Sequence, residues 1–241
     1  MNETIQTLLN HRSYRHFDPN YQIPETTFQE ILNASRQAAS WMNGQMYSII
    51  VVDDLKIREQ FVALNPGNPQ MLACSRFLVF VADLQRTKKA AEYHQSPYPV
   101  DTGLNALLIA TTDASLALQN AVIAAESFGL GTVIVGSIRN QIDEVAQLLN
   151  LPDYTIPIAG LCIGQPNVVM DIKPRLPENA VIHYNAYHDY QNDLLKQYNL
   201  TMEKFGEARE TKLWTQKFAD YFAQTPTPAV DHYLQKKKLI Q

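Results

Sequence analysis

The chain has 241 residues, 46% hydrophobic and 18% charged, enough to bury the core of one large domain and too apolar for a disordered class. Its formal net charge of −4 offers no overall basic face to duplex nucleic acid. Cys74 and Cys162 lie far apart in apolar runs and read as buried hydrophobes in a reducing compartment, while the first ten residues lack a signal-peptide block and no uninterrupted apolar stretch reaches membrane-spanning length. The expectation is a cytoplasmic protein without a nucleic-acid or membrane partner.

Residues 2–9 read as a short helix capped by Asn2, with Ile5, Leu8 and Leu9 on one face. A polar segment follows, His11-Arg12-Ser13-Tyr14-Arg15-His16-Phe17. Pro24 then opens a helix carrying Phe28, Ile31 and Leu32 on one side. Residues 47–52 and 76–82 are β-branched and aromatic runs that predict two strands, separated by a turn-rich loop at 65–70. Residues 102–128 predict one long helix, apolar nearly all round and therefore mostly buried, with Gly103 in its first turn. Asp113, Gln119, Asn120 and Glu126 exclude it as a membrane span.

Gly129 and Gly131 end that helix, and 132–135 follows as a buried strand. Asn140 is placed as the cap of an amphipathic helix that turns Ile142, Val145, Leu148 and Leu149 inward. Residues 156–163 predict a further strand. Beyond residue 189 only helical patterns continue, divided by Gly206 and by Pro226 and Pro228, and Lys236-Lys237-Lys238 reads as a solvated tail. The order of elements implies an α+β domain over residues 1–188, with the long helix as its spine, and a helical C-terminal extension over 189–241.

Familiar chemical motifs are mostly absent. Gly129, Gly131 and Gly136 have the wrong spacing for a dinucleotide fingerprint and follow a helix rather than a strand. The six histidines are scattered, so no metal site is expected. Two basic clusters stand out: His11-Arg12-Ser13-Tyr14-Arg15 and Lys173-Pro174-Arg175-Leu176-Pro177. Arginines on a stiffened backbone suit a phosphate, because a guanidinium offers paired donors to its oxygens. Each cluster alone could equally be a surface turn.

The first cluster is similar to the H-R-S-x-R-x-F opening of the larger nitroreductases and flavin reductases. Ala124-Ala125-Glu126-Ser127-Phe128-Gly129-Leu130-Gly131, then Gly136-Ser137-Ile138-Arg139-Asn140, then Gly160-Leu161-Cys162-Ile163-Gly164 and Lys173-Pro174-Arg175-Leu176-Pro177, resemble four further motifs of that family in the same order. The resemblance implies a central antiparallel or mixed sheet flanked by helices, an intertwined homodimer with the C-terminal extension packed on it, and FMN at the interface. It implies electron transfer by a ping-pong hydride route from NADPH or NADH to a small acceptor: a quinone, free flavin, nitroaromatic or azo compound. The alternatives are other flavin chemistry, such as reductive dehalogenation, or a flavin-binding redox sensor with little turnover.

Carried over onto these residues, the resemblance puts His11, Arg12, Ser13, Lys173 and Arg175 at the FMN phosphate and Arg15 at the N1–O2 edge of the ring. The turn at Gly136 and Ser137 offers backbone amides to the N5–O4 edge, and Ser40, Asn68 and Gln70 are further contacts. No side chain is required as an acid or base, so none is assigned as catalytic. The chain departs from the pattern at Ser40-Trp41-Met42-Asn43, where relatives carry a serine run, at Asn68 in place of Gln, and at Ser137 in place of Gly. Trp41, Met42 and Asn43 are expected either at the acceptor pocket or in interface packing. Arg139 is expected to meet the acceptor or nucleotide, and Arg209 the nucleotide, although Glu207 and Glu210 weaken the case for a 2′-phosphate there.

Overall fold

The computed structural model describes residues 1–189, 192–206, 211–224 and 228–241. They divide into two compact units, 1–170 with 227–241, and 171–226, so the last helix belongs to the first unit.

In the first unit the elements are α1 (Glu3–Leu9), α2 (Glu25–Arg36), β1 (Tyr47–Val51), α3 (Leu55–Leu64), α4 (Gln70–Ala73), β2 (Arg76–Asp83), α5 (Gln85–Tyr93), α6 (Asn105–Ser127), β3 (Gly131–Val135), α7 (Ile142–Leu148) and β4 (Thr155–Gly164). The strands form one antiparallel sheet in the order β1-β2-β4-β3. Leu78 and Phe80 of β2 join a cluster with the alanines of α6 and with Phe28 and Ile31 of α2. Phe77, Val79 and Val81 join a second cluster with Phe61 of α3 and Val145 of α7. Successive strand residues point to opposite faces, so a continuous apolar run is what a sheet covered by helices on both sides requires.

The register of β2 against β4 slips between Phe80 and Val81, which pair with Ala159 and Pro157. Ile158 is the extra residue of this bulge. The bulge also explains how a central strand tolerates Pro157, which has no N–H for the ladder.

Helix α6 carries Ala110, Ala114, Ala117, Ala121 and Ala125 fully buried along one face, and these small side chains let it pack closely. It is long and apolar enough, by length and composition, to cross a membrane, but its apolar face is engaged by α2 and the sheet. Two corrections apply to it. It begins at Asn105, because Val100–Thr102 forms a separate 3-10 turn and Gly103 is extended. It is also not covered all round within the chain, since Leu104, Leu108 and Leu116 face outward.

Gly129 ends α6 in the left-handed region (φ +73), as expected of a helix terminus, whereas Gly131 is the first residue of β3. Asn140 does not cap α7. It closes the preceding 3-10 turn, donating its backbone N–H to Ser137 O, and Gln141 precedes the helix without a side-chain cap. The cysteines meet in the core as free, buried thiols, and burial pushes the Cys162 thiol up.

The last helix, α10 (Pro228–Lys236), sets Tyr233 into the core, with its hydroxyl donating to Thr155 O at 3.1 Å. The lysines at and beyond its end are no free tail: Lys236 pairs with Asp143 at 2.6 Å, Lys237 donates to Leu151 O, and Lys238 pairs with Asp153.

The second unit holds α8 (Asn192–Phe205) and α9 (Trp214–Ala223), which come before α10 in the chain. Trp214 packs edge-on against Tyr198 at 5.5 Å. Asn199 accepts the Thr215 N–H and donates to its hydroxyl, so one side chain fixes the first turn of α9.

Candidate functional site

The basic segment at 11–17 is docked on the edge strand of the sheet. Ser13 bridges Thr132 of β3, the Tyr14 N–H donates to Thr132 O at 2.8 Å, and Phe17 bridges Pro166 just beyond β4. The docking needs Gly131: a Cβ there would lie 2.6 Å from the Pro166 ring and 2.8 Å from Tyr14. The segment is thereby held straight enough to present its side chains in series.

Three of its side chains have local contacts. His11 Nδ1 lies 2.7 Å from Glu126 Oε1, and the same oxygen accepts the Thr132 hydroxyl at 2.7 Å. With Nδ1 turned to Glu126, the ring's Nε2 is the nitrogen left for a ligand. Arg12 donates Nη1 to Met170 O at 2.7 Å and Nε to Asn10 O at 3.0 Å, which fixes its guanidinium plane. Arg15 makes a long contact with Ser13 O at 3.5 Å. Glu126 was legible in the sequence as a polar residue on a helix and as part of the 124–131 motif, but nothing in the spacing marks it as the partner of His11.

At the other end of β3 the chain turns through the 3-10 helix Gly136–Arg139. The Arg139 guanidinium donates to Ile158 O, the carbonyl of the bulged residue, and lies beside Gly136. The bulge therefore sets the turn by giving Arg139 a fixed acceptor. Asn68, from the loop before α4, donates Nδ2 to Ser137 Oγ at 2.8 Å, and Gln70 donates Nε2 to Asn68 Oδ1 at 3.0 Å. Asn68, Gln70 and Ser137, assigned separately from the sequence, are thus brought into one hydrogen-bonded chain.

The loop at 40–46 is held by a residue that sequence reasoning missed in this role. Asp113, buried in the middle of α6, accepts the Trp41 N–H at 2.9 Å with one oxygen and the Met46 N–H at 3.0 Å with the other. Ser40 Oγ accepts the Gln45 N–H at 3.3 Å. Between these anchors Met42, Asn43 and Gln45 all have positive φ, a conformation that non-glycine residues adopt only when held. Trp41 and Met42 are displayed outward, Met42 at 80% exposure. An acidic residue in an alanine-rich helix was the available signal.

In the second unit Lys173 and Arg175 line a small cavity of about 150 Å³ with Tyr198, Lys212, Trp214 and Lys217. Tyr198 donates its hydroxyl to Pro174 O at 2.8 Å, so α8 fixes the proline-stiffened segment. Lys212 is paired to Asp220, whose carboxyl it holds below the usual range. Arg209 lies outside the described residues.

These donor sets suit FMN. In the first unit a cationic segment and an amide-presenting turn sit at opposite ends of one strand, four residues apart from Thr132 to Gly136, or about 13 Å. That is the scale from the phosphate to the far edge of a flavin ring. Within the second unit, Lys173 and Arg175 are cations of the kind that bind an anion.

Comparison with known proteins agrees with this chemistry. The model of the nitroreductase family matches residues 8–165, and that of its C-terminal domain matches 173–241. An FMN reductase [NAD(P)H] of Bacillus subtilis is 35% identical, with 98% of each chain covered. An oxygen-insensitive NADPH nitroreductase of Salmonella typhimurium is 34% identical, again with 98% of each covered. Among solved structures, NfrA2 of B. megaterium matches with a TM-score of 0.93 and 34% identity, over 100% of this chain and 99% of that one.

Proposed function

The chain belongs to the nitroreductase family, and from that premise we propose that it oxidises NADPH or NADH and reduces small acceptors in a ping-pong cycle on one FMN site. The observation that carries the reading is the placement of the His11 segment and the Gly136–Arg139 turn at the two ends of β3. When bound, FMN would supply the two-electron redox chemistry that links nicotinamide and acceptor.

The protein's own groups bind and orient. His11, Arg12 and Ser13 hold the phosphate, and Lys173 and Arg175 are further anion donors. Arg15 would place a guanidinium at the N1–O2 edge, where negative charge grows on reduction, which would favour the reduced form. Backbone N–H groups at Gly136 and Ser137 would serve the N5–O4 edge. Arg139 and the exposed Trp41, Met42 and Asn43 border the space for nicotinamide and acceptor, with Arg209 in reserve for the nucleotide.

The acceptors are nitroaromatics, free flavins, quinones and azo compounds. The working form is a homodimer, supported by the outward leucines of α6, and the compartment is the cytoplasm, supported by two free buried thiols. Initial rates measured across NADPH and nitroaromatic concentrations test the cycle. Parallel double-reciprocal lines are expected; intersecting lines would require both substrates to be bound at once and would overturn it.

A further inference from the structure

Asn68 and Ser137, both departures from the pattern this sequence resembles, touch each other. Asn68 and Ser137 are 69 residues apart in sequence, yet Asn68 Nδ2 donates to Ser137 Oγ at 2.8 Å. Resting on the FMN reading above, we propose that Ser137 acts on the bound flavin through its side-chain hydroxyl and that Asn68 is the residue that positions that hydroxyl.

The argument is one of donor direction. Asn68 is fixed on three sides. Its backbone N–H donates to Asn65 O at 2.9 Å, its carbonyl accepts the Met71 N–H at 3.2 Å, and its side-chain oxygen accepts Gln70 Nε2 at 3.0 Å. Gln70 is itself only 3% exposed, so the far end of the chain sits in the core. With Oδ1 engaged by Gln70, the Asn68 amide presents its NH2 to Ser137. An NH2 group only donates, so Ser137 Oγ is the acceptor in that bond and its own hydrogen is directed to a different partner.

The turn restricts where that partner can be. Ser137 lies in the first half of the Gly136–Arg139 turn, and Arg139, tied to Ile158 O, covers the Gly136 side. A ligand seated on the turn therefore meets a hydroxyl donor in addition to the backbone N–H groups. Glycine at this position would give the backbone donors alone. A hydrogen bond to a flavin ring edge weighs differently on the oxidised and reduced ring, because the two differ in charge and in which ring atoms carry hydrogen. The hydroxyl thus tunes the potential of the cofactor, and Asn68 acts through it as a positioning residue.

The test is the two-electron midpoint potential of the FMN-loaded protein in wild type, S137A, S137T, N68A and the N68A/S137A double variant. S137A is expected to change the redox equilibrium about tenfold, which is about 30 mV for a two-electron couple. N68A is expected to shift the potential in the same direction, and the double variant to move no further than S137A. S137T, which keeps the hydroxyl, is expected to stay near wild type. FMN-loaded S137A at the wild-type potential overturns the hydroxyl's role. Additive shifts in the double variant overturn the positioning by Asn68. A wild-type protein that takes up no FMN overturns the functional reading itself, and the inference with it.

Discussion

Two acidic residues on one helix do different work in this protein. Asp113 and Glu126 both stand on α6, thirteen positions apart, and the sequence does not show which segment either of them holds. Glu126 reaches the 11–17 segment through His11 and Thr132, while Asp113 reaches the 40–46 loop through two backbone N–H groups. A buried carboxylate that accepts two such bonds fixes the loop more firmly than any contact the loop makes with itself. D113A leaves both donors without their acceptor and is expected to cost about 2–4 kcal/mol, read by urea unfolding. A loss within about 0.5 kcal/mol, the range of ordinary surface changes, would show that the loop holds its shape unaided.

The individual ligand candidates were legible because their types and motifs are local, as in His11-Arg12-Ser13. Their partners were not. The pairing of Asn68 with Ser137 and of His11 with Glu126 spans 69 and 115 positions, and no periodicity reports on a contact of that range. The outward display of Trp41 and Met42 likewise depends on Asp113, not on the loop's own sequence.

Among elements, the strands were the clearest, because unbroken runs such as Phe77-Leu78-Val79-Phe80-Val81 admit little else. Helix α5 was not read, since it buries no residue and so carries no apolar stripe. Helix α3 was missed although Asp54 caps it, because the same aspartate also serves to end a strand. The bulge at Ile158 was invisible beforehand, and with it the acceptor that holds Arg139.

The C-terminal helix yields a prediction of its own. Burial, with Asp143 nearby, pushes the Tyr233 phenol well above its ordinary value near 10. Folding thus favours the protonated phenol. Its contribution is complete below about pH 10 and is lost as pH rises from there through the raised value. Melting temperatures between pH 8 and 11.5 are expected to fall less steeply above pH 10 in Y233F than in wild type. They do not become flat, because Tyr47 and Tyr98 are raised by burial as well. Identical alkaline slopes would count against the assignment.

At the scale of the molecule, the long helix explains why one chain looks unfinished. Its alanine face is buried, yet Leu108 is 63% exposed, beside Leu104 and Leu116. Such a face is costly to leave in water, and a second copy is the partner proposed above. Light scattering on the wild type is expected to give twice the 27.3 kDa chain mass. L108E is expected to shift the protein toward monomer and to weaken FMN binding at least tenfold, about 1.4 kcal/mol or more. A monomeric wild type that binds FMN fully would contradict the shared site.

The central claim is that this chain carries FMN and loads it with electrons from a nicotinamide nucleotide. Anaerobic titration of the FMN-reconstituted protein with NADPH, and separately with NADH, tests it most directly. The account predicts that the yellow absorbance bleaches fully at one equivalent of at least one nucleotide and returns when a nitroaromatic is added. A protein that stays colourless after incubation with excess FMN, or one whose colour neither nucleotide removes, would contradict it.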